Sequence, residues 1–130
     1  MQQDEFISAV RESTGLDHEA AERALQATLT VLGRRLAGGE TSDLAAQLPA
    51  GLKEQLPSEG GGEQFDVSTF YERIASQEGG DVTAAQARQH ARAIAKGLET
   101  ALTDGEWANF TSQLPADYAD WLGTDPVLKH

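Results

Sequence analysis

The tetrapeptide Gln-Leu-Pro-Ala occurs twice in this chain, at 47–50 and 113–116, 66 positions apart. Each copy closes a longer matched stretch. Gly38-Gly39-Glu40-Thr41-Ser42-Asp43-Leu44 leads into the first, and Asp104-Gly105-Glu106-Trp107-Ala108-Asn109-Phe110 into the second. An internal repeat constrains the fold strongly. Whatever one copy forms, the other is expected to form, and each copy alone is small for an independent core.

The residues before the first copy read as helices. Phe6, Ile7 and Val10 share one face of a helix over about 4–14. Gly15 supplies a left-handed stop. Asp17 is placed as an N-cap, with Glu19 in the first turn where the helix dipole favours an acid. The long helix that follows, about 18–37, sets Ala21, Leu25, Thr28, Leu32 and Leu36 three to four residues apart. Gly38-Gly39 is expected to end it. A short helix then carries Leu44 and Leu48. Pro49 breaks it and opens another, with Leu52 and Leu56 apolar.

The second half repeats this order. Phe65 reads as a hydrophobic staple for Phe70, with Asp66 as N-cap. Phe70, Tyr71 and Ile74 stand where Phe6, Ile7 and Val10 stand, 64 positions on. The two-residue difference falls at Gly79-Gly80. Thr83 and Gln86 have capping-box spacing. Ala87, Ala91, Ile94, Leu98 and Leu102 then mark a long helix over about 84–102. Phe110 takes the place of Leu44, and Tyr118 and Leu122 those of Leu52 and Leu56. Leu48 and Leu114, each before a proline, are expected to be buried.

No stretch alternates as a strand does. The sequence therefore predicts an all-α protein of two tandem four-helix repeats, each an opening helix, a long helix and two short helices, sharing one core. It reads as a single domain, 1–130. Repeat one is 4–56, a Gly-rich connector 57–64, repeat two 65–122 and a loose tail 123–130.

With 21 acidic and 10 basic residues the net charge is −11. That balance argues against nucleic acid and anionic lipid, which need clustered Lys and Arg. The chain has no Cys, which excludes disulfides, thiolate nucleophiles and Cys-ligated zinc. No apolar run reaches membrane-span length and the N-terminus lacks a signal-peptide core, so a cytoplasmic location is expected.

At Leu16-Asp17, Glu19, Ala21, Ala24-Leu25, Val31-Leu32-Gly33, Arg35-Leu36, Gly38-Gly39-Glu40 and Asp43 to Pro49 the pattern resembles the prokaryotic domain of unknown function family 2267. The second repeat, Phe70 to Leu122, fits more loosely. It has Asp104-Gly105 for Gly38-Gly39 and Trp107 for Thr41. The resemblance implies a small helical bundle of duplicated origin. It carries over no catalytic residue.

The residues themselves announce no catalytic, cofactor or metal site. His18, His90 and His130 lack ligand spacing, and His90 sits beside the apolar stripe as a packed helix histidine. Glu19 and Glu22 form one solvated face, without the Glu-x-x-His partners of a helical di-metal site. Gly60-Gly61-Gly62 lacks the Lys and Ser/Thr of a phosphate loop. Two features suit binding instead. Arg88, Arg92 and Lys96 follow one another at four-residue intervals, a basic stripe on an acidic protein. Trp107 and Trp121 correspond to the polar Thr41 and Gln55, which argues for exposure.

The sequence thus reads as a non-enzymatic interaction module. It would bind another protein or itself through Trp107, Trp121, Arg88, Arg92 and Lys96. The rival reading is a small-molecule-binding or enzymatic domain with a pocket between the repeats.

Overall fold

In the computed structural model, residues 3–36, 44–46, 48, 50–53, 56 and 62–123 are described below. They form helices and no strand. Helix α1 spans Gln3–Thr14, α2 His18–Arg35, α3 Ala50–Lys53, α4 Val67–Glu78, α5 Ala84–Ala101, α6 Asp104–Thr111 and α7 Ala119–Leu122. A 3-10 turn, Ala116–Tyr118, leads into α7.

The caps follow the expected chemistry. Asp17 accepts from the Ala20 N–H, and Asp66 from the Thr69 N–H. Thr83 and Gln86 close a reciprocal capping box. A second box, Thr103 with Glu106, starts α6. Its Ser/Thr-x-x-Glu spacing was legible in the sequence but not among the expected caps. Gly15, at φ +79°, turns the chain out of α1. Both long helices end on a buried leucine in extended conformation, Leu36 and Leu102. Gly38-Gly39, Gln47, Pro49, residues 57–61 of the connector and the tail beyond Gly123 lie outside the described residues.

Helices α1, α2, α4 and α5 make the central bundle. Each of the two 12-residue helices, α1 and α4, packs against both 18-residue helices, α2 and α5. One continuous core therefore takes side chains from both halves. Phe6, Leu25, Leu32, Phe70, Ile74, Ile94 and Leu98 are all fully enclosed. Phe6 of α1 lies directly over Gly97 of α5, where a Cβ would stand 2.7 Å from its ring. The described end of the connector is tied down. The N–H groups of Gly62 and Glu63 donate to the carbonyls of Leu36 and Arg34, satisfying the open end of α2.

One packing expectation differs. Leu48 is buried, but Leu114 is only half-buried. It sits in the turn after α6, where its N–H is held by the Thr111 carbonyl at the core's edge. Phe65 packs at the core's margin with Arg73 over its ring, 4.3 Å from the centroid. Arg73 also pairs with Glu63.

Candidate functional site

Helix α5 buries Ala87, Ala91, Ile94, Ala95 and Leu98. The 3.6-residue period then turns Arg88, Arg92 and Lys96 towards the opposite side. They do not stand on an open helix face. A groove of about 840 Å³ runs along them. Ser13 and Thr14, at the end of α1, form one wall. Trp107 of α6 and the Leu122-Gly123 end of α7 form another. Gln89, Ala93 and Glu99 complete the α5 side. The tight start of α6 sets Trp107 there, because its N-cap, Thr103, follows α5 after one residue. The indole is half-buried and lies 5.9 Å from the Phe110 ring.

The structure thus brings Trp107, Arg88, Arg92 and Lys96 to one groove, yet the three cations are not equivalent. Arg88 forks onto Asp120, its Nε and Nη2 each donating at 2.8 Å to a different carboxylate oxygen. The Tyr71 hydroxyl donates to the same carboxylate at 2.7 Å. This bidentate bond joins α5 to α7, and Tyr71 adds α4. Arg88 above all, then the Tyr71 bond, holds the Asp120 carboxyl at about 2, below its usual range. Burial, reinforced by Asp120, pushes the Tyr71 phenol well above its ordinary value. Arg92 and Lys96, by contrast, have no ion-pair or hydrogen-bonding partner among the described residues.

Trp121 requires a correction. It is not a surface residue but fully enclosed, 0 % exposed. Its ring meets Phe70 edge-on at 4.8 Å and Phe110 at 6.2 Å. Its indole N–H donates to the Ala91 carbonyl at 2.8 Å. The short 3-10 turn and α7 carry it over the small Ala91 and into the centre, so no partner can reach it in this conformation. Tyr118 is enclosed beside it, donating to the Phe65 carbonyl at 2.7 Å. Burial raises its phenol to about 12.

The sequence reading of His90 as a packed helix histidine holds, but its Glu78 partner and the burial of Arg35 went unnoticed. His90 is packed, and its Nδ1 lies 2.9 and 3.1 Å from the two oxygens of Glu78, whose side chain is 4 % exposed. The pair bolts the end of α4 to α5. Arg35, 7 % exposed, lies over the Tyr118 ring at 5.5 Å, and its Nε has no hydrogen-bond partner. Its place in the last turn of α2 suits a cation, since the helix dipole is negative there.

Among the described residues, no three His, Asp or Glu side chains converge as a metal site. No described helix is long and apolar enough to cross a membrane. No curated protein matches the chain. A family model does, across residues 3–121, nearly the whole length and both halves of the groove. The chain belongs to the family described as uncharacterized conserved protein (DUF2267).

Proposed function

We propose that the protein is a non-enzymatic interaction module, built by duplication of a four-helix unit, that holds an acidic partner protein in the groove along α5. The observation that carries this reading is the meeting of Trp107 with Arg92 and Lys96, two cations without a hydrogen-bonded partner among the described residues, on a protein of net charge −11. A half-buried tryptophan beside basic side chains has the composition of a contact hot spot. The pairing of Arg88 with Asp120 braces that surface. Duplication is supported by the matched helix lengths, 12 then 18 residues in each half.

Native mass spectrometry of the protein purified gently from its own host tests the reading. A stoichiometric complex with a protein, lost in the Arg92→Glu/Lys96→Glu double variant, supports it. A monomer carrying a small-molecule adduct sinks it.

One observation favours the second reading, a small-ligand site. The groove takes Ser13 and Thr14 from the first half and its other walls from the second, and its volume is in the range of ligand pockets. Its open course along α5, with Trp107 beside the cations, suits a protein segment better.

A further inference from the structure

We propose that the segment seated in the groove presents two carboxylates about 6 Å apart to Arg92 and Lys96, and runs from there to an apolar side chain over Trp107. The proposal rests on the interaction reading above and adds the chemistry and register of the partner.

The spacing comes from the helix. Arg92 and Lys96 are four residues apart on α5, so their stems leave the axis about 6 Å apart. They project side by side on one face. Arg88 would make a third cation in that row, but its Nε–Nη2 edge is bound by Asp120, whose carboxylate balances its charge. A row of three in the sequence is therefore a pair in the structure.

The neighbours fix the register. The Arg88–Asp120 pair leaves one end of the row close to neutral, and Glu99, in the last turn of α5, places a carboxylate at the far end. Acidic groups of a ligand are repelled at the Glu99 end, gain little at the neutral end, and are attracted at Arg92 and Lys96 between them. Trp107 belongs to α6, which follows the Glu99 end of α5. The ligand group near it is consequently apolar. On a protein of net charge −11 the pair is a small positive island, which favours an acidic segment at contact range rather than by long-range steering. A phosphodiester backbone fits poorly. It carries closely and evenly spaced charges and needs a longer run of cations than two.

The test is selection by mRNA display of random twelve-residue peptides on the full chain, with recovered peptides measured by fluorescence anisotropy. The expected result is enrichment of Asp/Glu pairs spaced two or four residues apart, followed by an apolar residue. Affinity should fall about tenfold or more in Lys96→Gln and in Arg92→Gln, the loss of one charge-assisted contact each. It should also weaken as salt rises. Circular dichroism checks that each variant is folded, and Lys96, exposed and unpaired, gives the safer substitution. Acidic groove binders indifferent to both substitutions would overturn the proposal while leaving the interaction reading standing, and groove binders without carboxylate enrichment would overturn it together with the acidic character of the partner, leaving only an interaction role. A selection that returns no groove binder counts against both.

Discussion

At the scale of single residues, burial rather than residue type decides what a side chain does here. Trp121 and Trp107 are the same amino acid, 14 positions apart on neighbouring short helices. One is an enclosed core ring bonded to a helix carbonyl, and the other half lines a groove. Trp121→Ala removes the largest fully buried side chain and orphans no charge. It is expected to destabilise by about 3–5 kcal/mol, read as a shift in the urea midpoint. A variant as stable as the parent would show that the indole is not in the core. Gly97 makes the complementary case. A methyl there would stand 2.7 Å from the ring of Phe6, which is itself fully enclosed and cannot swing away. Overpacking of about 1–3 kcal/mol should exceed the roughly 1 kcal/mol that alanine gains in helix propensity. Gly97→Ala is therefore expected to lower the melting temperature, and Gly105→Ala, with nothing within 4 Å, to leave it unchanged or raise it.

At the scale of elements, the sequence was most legible where local chemistry alone sets the outcome. Asp17, Asp66 and Thr83 fix helix starts with side-chain atoms that lie within three residues of their partners, so no tertiary knowledge is needed. The apolar stripes of α2 and α5 were legible for the same reason. What was not legible depends on packing between elements. Repeat matching set Trp121 against Gln55, a polar position, and thereby suggested exposure. Only the path of the 3-10 turn and α7 reveals that the ring enters the core. The pairing of Arg88 with Asp120 joins residues 32 apart, and no local spacing announces it.

That pairing has a pH signature at the same scale. Asp120 is depressed in the folded state to about 2 from an ordinary value near 3.8, chiefly by Arg88. The sign follows from linkage. A carboxyl with a lowered folded value stabilises the fold fully above its unfolded value, and that stability drains away as pH falls from about 4 through about 2. Both side chains are about 40 % exposed, so water screens the pair and the effect is modest. The acid limb of the stability curve should therefore be shallower in Asp120→Asn than in the parent. Urea midpoints at pH 5 and pH 2.5 measure this. Asp66, held low by the Thr69 N–H, titrates in the same range but is common to both proteins and cancels in the difference. Parallel curves would show that Arg88 does not hold Asp120 in solution.

At the scale of the whole molecule, the two halves are interlocked rather than joined side by side. Helix α1 packs on α5 as well as on α2, and α4 packs on α2 as well as on α5. Phe6 of the first half has its ring over Gly97 of the second, and the end of the connector satisfies the carbonyls that end α2. Cutting the chain in the connector would expose one long apolar face on each piece and leave α1 and α4 with one long helix each instead of two. A piece of about 65 residues has little surplus burial with which to offset its conformational entropy. Segments 1–61 and 62–130, made separately, are accordingly expected to show weak helical signal and no cooperative thermal transition. Mixing them at equal concentration should restore both, because the core is continuous across the cut. The groove follows the same rule, since Ser13 and Thr14 face α5, α6 and α7 only when the halves are together. Any ligand bound by the intact chain should be lost from each segment and regained on mixing. A cooperative melt from either segment alone would show instead that each half carries its own core, and that the packing of α1 on α5 is an association of two independent units.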